Sequence, residues 1–164
     1  MKKIWTLLCL FIAIPLSAYG AGTCTETRRD LNAKGSLVEV EFLCIGDASN
    51  GSLPDTTITG FKGFHAYSVE TWPLTPAPDA ADVFLFDSTV GSTVKLDLLG
   101  STDGTTAVNG LNLISATAPK YTMCVNTDGT ANYPLLSGDL TLSFANQATV
   151  SAQFGVRVKF MRGQ

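Results

Sequence analysis

Four cysteines, one histidine and two closely spaced glutamates are the residues of this 164-residue chain best equipped for chemistry. Cys24 lies in a polar, Thr-rich run, Thr23–Leu31, and Cys44 in an alternating run, Ser36–Ile45, with Asn32-Ala-Lys-Gly35 between them. A turn centred near Lys34 sets Cys24 directly opposite Cys44, where a disulfide is within reach if the Cβ vectors agree. Cys124 is then the odd cysteine: a thiol, an intermolecular link, or a sign of a different pairing. His65 stands beside Tyr67 and Val69 in a strand-like run. One imidazole makes no metal cluster. No G-x-S-x-G elbow presents a serine for it to activate, so His65 reads as structural. Glu39 and Glu41 share one face at i, i+2. Paired acids hydrolyse glycosides across a cleft, but two neighbours on one strand read as a solvated face.

The tetrapeptide Thr-Asp-Gly-Thr occurs at 102–105 and 127–130. A calcium loop needs three oxygen ligands before its glycine, and Cys124 stands where the first would be. Asp-Gly here reads as turn chemistry. The expectation is therefore no catalytic residue, no metal and no cofactor. What remains suits binding. Trp72, in a Pro-rich stretch, and Tyr67 and Tyr133 offer aromatic faces for stacking on a glycan. Arg28 and Arg29 lie with Glu26 and Asp30 on a first strand of mixed charge, which suits a defined neighbour; Arg28, Arg29 and Trp72 are the interface candidates.

The elements that must hold these residues are strands. Gly138–Ala145 and Thr149–Met161 alternate apolar and polar side chains, with a polar turn at Asn146-Gln147. Successive strand residues face opposite sides. Leu140, Leu142 and Phe144 thus share one face, and Val150, Ala152, Phe154, Val156, Val158 and Phe160 another. The pattern predicts a C-terminal hairpin with one dry and one wet face, which the rest of the chain must cover. A first hairpin spans Thr23–Ile45, with Val38, Val40, Phe42 and Cys44 inward. Asp47–Gly60 reads as loop, Phe64–Thr71 as a strand, and Trp72–Asp79 as a stiff exposed loop that cannot extend a ladder. Asp82–Asp87 reads as a strand and Val94–Leu99 as its partner or a helical turn, Lys120–Val125 as a further strand, and 101–118 shows no clear element. Seven or eight short strands with turn signals between them predict an all-β, mostly antiparallel sandwich, or a barrel-like variant of it.

Met1-Lys2-Lys3, the apolar run Ile4–Leu16 and the small residues of Ala18-Tyr19-Gly20 form the pattern of a signal peptide, with cleavage expected after Gly20. The apolar run is shorter than the ~18–20 residues of a spanning helix, which disfavours an uncleaved anchor. Residues 21–164 then make one sandwich domain, secreted or periplasmic. The chain carries 11 basic and 14 acidic residues and no basic stripe, which argues against nucleic acid. No later run is apolar for long enough to hold a membrane.

The run Phe64-His-Ala-Tyr-Ser-Val-Glu-Thr-Trp-Pro, followed by Pro-Ala-Pro-Asp-Ala-Ala-Asp-Val-Phe-Leu-Phe-Asp87, resembles small β-sandwich proteins encoded among tailed-phage structural genes. The ending Gly138–Asn146 with Val150–Phe160, and the opening Thr25-Glu-Thr-Arg-Arg with Val38-Glu-Val-Glu-Phe, are similar to theirs. The resemblance implies a virion-associated, non-enzymatic subunit that self-associates or joins other structural subunits. The leader and the cysteine pair depart from that family. A periplasmic or extracellular carbohydrate-binding or adhesin-like module is the alternative, with Trp72, Tyr67 and Tyr133 stacking on the sugar.

Overall fold

The structure is a computed structural model, and the residues it describes are 21–31, 36–79, 81–87, 96–99, 111–124 and 133–162. Residues 1–20, expected to be a leader, residues 32–35, expected to be a turn, and both Thr-Asp-Gly-Thr segments lie outside them. Ten strands are described: β1 (Thr23–Leu31), β2 (Leu37–Ile45), β3 (Thr56–Ile58), β4 (Phe64–Pro73), β5 (Ala81–Asp87), β6 (Leu96–Asp97), β7 (Leu111–Ile114), β8 (Lys120–Met123), β9 (Leu140–Ala145) and β10 (Gln153–Arg162). They form two antiparallel sheets. The front sheet runs β1-β2-β10-β4-β8; the back sheet runs β3-β9-β5-β6, with β7 also on β5. The all-β sandwich expected from the alternation is the architecture found. The strand count is higher because β3 and β7, of three and four residues, are too short to leave a periodic signal.

The dry faces meet in one core. Val38, Val40, Phe42 and Cys44 of β2 are buried, as are Phe154, Val156, Val158 and Phe160 of β10 and Leu140 and Leu142 of β9. Phe61 stacks on Phe160 at 3.9 Å between ring centroids, and Phe144 meets Phe154 edge-on at 5.5 Å. Truncating a core phenylalanine of this kind costs about 3–5 kcal/mol.

The C-terminal hairpin is the main correction. β9 and β10 alternate as expected but do not pair. β9 sits in the back sheet between β3 and β5, and β10 in the front sheet between β2 and β4. The linker arches across the sandwich instead of turning within a sheet. Asn146 and Ser151 hold positive φ, 63° and 54°. The buried Gln147 amide donates to the carbonyls of Gly51 and Thr149, at 3.0 and 2.7 Å. The Ala152 carbonyl accepts from Gly46 N–H at 2.8 Å. Val150 lies in this arch and is exposed, so it is not part of the inner face. Alternation states which side of a strand is dry; it does not state which sheet the strand joins.

Two further expectations shift. Trp72 and Pro73 belong to β4, where Pro73 opposes Phe154. The ladder tolerates the proline because β8 ends its pairing at Thr71, so the missing N–H has no strand to serve. β3 and β7 arise within stretches that carry no strand pattern, 47–60 and 101–118. The partnership of β5 with the 94–99 run holds through Phe86–Asp97 and Asp87–Leu96.

Candidate interaction face

The first hairpin places Cys24 opposite Cys44, and a disulfide joins them with Cα atoms 3.9 Å apart. A register shift between Glu26 and Arg28 bulges β1. Beyond it, Arg28 and Asp30 oppose Glu41 and Glu39 on the outer face, while Arg29 opposes Val40 on the inner side. Arg29 therefore points toward the core at the sandwich edge. Its guanidinium lies over the Phe61 ring at 5.0 Å, donates to Glu26 through Nε and one terminal nitrogen at 2.8 Å each, and gives another N–H to the Thr59 carbonyl at 3.0 Å. The hydrogen bond from Arg29 holds the Glu26 carboxyl below its ordinary range. Inward-pointing charge is one way an edge strand is kept from pairing with another chain. Thr56 adds a hydrogen bond from its hydroxyl to the Cys24 carbonyl at 3.3 Å, so β1 is tied to the back sheet at this seam. Of the two arginines, only Arg28 stands on the outer face, ion-paired to Asp30 and, at 3.5 Å, to Glu41.

The outer face of the front sheet carries the other candidates. Register aligns Arg28, Glu41, Arg157, Glu70 and Tyr121 across all five strands. Arg157 is the hub. Its Nε donates to Glu41 at 2.9 Å, and its terminal nitrogens reach Glu41 at 2.7 Å and Glu70 at 2.9 Å. Desolvation works to lower its pKa, but the bond to Glu41 and the surrounding carboxylates outweigh that and raise it. Glu39 pairs with Lys159 at 3.3 Å. Glu39 and Glu41 are thus members of a cross-strand charge ladder, as a solvated face requires.

Trp72 opposes Gly155 on this same face. The indole lies against the glycine, and a Cβ there would fall inside the ring, among Cε2, Cζ2 and Nε1. Aromatic cover of a strand glycine restores packing that the missing side chain lacks. It also explains why Gly155 is buried on the wet face of β10. Arg157 sits with its guanidinium carbon 5.3 Å from the ring centroid, a cation–π contact.

At the far side of β4, Tyr67, Tyr121 and Tyr133 come together. The irregularity between Lys159 and Phe160 sets Tyr67 and Ser68 together against Lys159, which turns Tyr67 outward. The segment Tyr133–Leu136 runs beside the start of β4, with Leu135 opposite His65. Tyr67 and Tyr133 rings approach to 5.0 Å. Desolvation, and then the adjacent Tyr67, raise the Tyr133 phenol. Tyr121 donates its hydroxyl to the Met123 sulfur at 2.7 Å. Tyr121 and Leu135 are each 62 % exposed. His65 Nδ1 lies 2.6 Å from the Tyr133 carbonyl, pinning this segment to β4. Cys124, buried and outside the disulfide, gives its N–H to the Tyr67 carbonyl.

The sequence reading names Trp72, Tyr67 and Tyr133 as stacking candidates but does not name Arg157, Glu70, Tyr121 and Leu135 as site residues. Their roles depend on neighbours supplied by other strands; the one local signal was the polar position of Arg157 in an apolar alternation. No group of three or more metal-ligating side chains occurs among the described residues. No helix among them is long and apolar enough to cross a membrane. Fold and face together define a class: a disulfide-bonded, two-sheet all-β sandwich with a charged and aromatic outer face. Comparison with known proteins finds no matching family model, no matching curated protein and no matching solved structure.

Proposed function

We propose that this protein is a non-enzymatic structural module, a subunit of a virion-like or extracellular assembly, exported through its leader and working by surface contact. One observation carries the reading. Tyr121, Leu135 and Met123, with Tyr67 and Tyr133 behind them, form an aromatic and apolar strip along the β4–β8 side of the front sheet, and Tyr121 and Leu135 are largely exposed. Apolar groups gathered at a sheet margin and rimmed by charge mark contact surfaces. The resemblance to small phage structural sandwiches supports the same class. The residues that first suggested chemistry have structural work: His65 pins a segment, Glu39 and Glu41 hold the charge ladder, and Arg29 plugs an edge. The Cys24–Cys44 bond is consistent with an oxidising compartment.

Light scattering after size exclusion, over a range of protein concentrations, tests the proposal. A defined oligomer that Tyr121→Asp with Leu135→Asp dissociates supports it. A monomer at every concentration, indifferent to those changes and captured by no co-encoded structural protein, refutes it. Reversing Arg29 is a poor probe, because it would open the β1 seam as well as alter the surface.

A further inference from the structure

We propose that Trp72, with Arg157 and Glu70 at its rim, is a binding site for one ring of a neutral oligosaccharide. The inference does not rest on the assembly strip: Trp72, Arg157 and Glu70 are not among the residues of the strip.

The indole is held as a platform. It packs against Gly155, where a Cβ would overlap ring atoms, so the backbone of β10 limits how the indole can move. The residue is partly exposed and stands on the outer face of the sheet, opposite Gly155. A flat apolar plate on a rigid strand matches the C–H face of a pyranose, which loses little entropy in stacking there.

Sugars also require hydrogen-bond donors and acceptors at the edge of the plate, and both are preorganised. Three of the five guanidinium N–H groups of Arg157 are used by Glu41 and Glu70. The two that remain belong to a guanidinium whose carbon lies 5.3 Å from the ring centroid. Glu70 spends Oε2 on Arg157, and its Oε1 accepts no hydrogen bond from the described residues. A carboxylate oxygen and a guanidinium side by side can take the two hydroxyls of a vicinal diol, one as acceptor and one as donor.

Charge selects a neutral ligand. Across the face, the four carboxylates of Asp30, Glu39, Glu41 and Glu70 meet three cations, Arg28, Arg157 and Lys159. The one negative charge left over disfavours acidic sugars, while the dipoles of the ladder still bond the hydroxyls of a neutral one.

The test uses the full chain on an array of neutral and acidic oligosaccharides, then saturation-transfer NMR with the best-retained neutral tetrasaccharide. Retention of neutral sugars is expected, with saturation passing to one ring's C–H protons and little change with salt. Trp72→Ala should weaken binding by about tenfold or more, the worth of one aromatic contact. Glu70→Gln, which leaves the ring and the strand in place, should weaken it by about three- to tenfold. If Trp72→Ala fails to fold, Glu70→Gln decides alone. No retained oligosaccharide, retention of acidic sugars only and with strong salt dependence, or an affinity unmoved by Glu70→Gln would each overturn the site. None of these results bears on oligomerisation, which the strip variants report separately.

Discussion

Replacing Gly155 by alanine should destabilise the protein, and the same replacement should become harmless once Trp72 is gone. Gly155 is absent from the positive-φ glycines, so its extended backbone accepts an L side chain. In an ordinary strand the change would stabilise by about 0.5–1 kcal/mol, because glycine is the more costly residue to order. Here the new Cβ would fall within the Trp72 ring, and the indole must swing off the sheet. A half-covered indole losing roughly 80–100 Å² of contact gives up about 2–2.5 kcal/mol, and overpacking estimates agree at about 1–3 kcal/mol. The net expectation is a loss of about 1–2 kcal/mol. In a Trp72→Ala background the clash is absent, and Gly155→Ala should stabilise by about 0.5–1 kcal/mol. The coupling in a double-mutant cycle is then about 2–3 kcal/mol. Urea melts followed by circular dichroism on the four proteins measure it. Additivity within about 0.5 kcal/mol would show that Trp72 does not rest on Gly155, and would remove the platform on which the sugar site depends.

Non-reducing peptide mapping should recover Cys24 linked to Cys44, and Cys24→Ser with Cys44→Ser should cost about 3 kcal/mol, the chain-entropy value for a link spanning 20 residues; a Cys44–Cys124 peptide would disprove the β1 register. Arg29→Ala should cost about 1–3 kcal/mol through loss of the Glu26, Thr59 and Phe61 contacts, whereas Arg28→Ala, more than half exposed, should leave stability nearly unchanged; equal effects would mean that β1 is not bulged as described. The Asp47 carboxyl is held below its ordinary value of 3.8, first by the Ser49 hydroxyl and then by backbone N–H groups. A depressed acid stabilises above its unfolded value and loses that contribution as pH falls through its folded one. The acid limb of the stability curve should therefore be shallower in Asp47→Asn than in the parent below about pH 4, and identical limbs would count against the Asp47–Gly51 turn.

Much of the local structure was legible in the residues. The alternation of Val38, Val40, Phe42 and Cys44 against Glu39 and Glu41 defined a dry and a wet side, and burial follows it. The spacing of Cys24 and Cys44 about Lys34 set their pairing, because an antiparallel register near a short turn depends on local geometry alone. The dry sides of β9 and β10 were equally plain. What the residues could not decide was which strand each would lie beside. Leu140–Ala145 and Gln153–Arg162 would serve as well in a hairpin as in two facing sheets, since both arrangements bury the same side chains. The choice rests on the arch anchored by Gln147 and Gly46 and on partners far away in the chain. The candidate face has the same origin. Arg157 becomes a hub only because β10 lies between Glu41 of β2 and Glu70 of β4, and Trp72 becomes a plate only because a glycine from β10 arrives beneath it. Side-chain period is a property of one strand, readable along the chain; neighbourhood is a property of the sheet, and only the assembled tertiary structure supplies it.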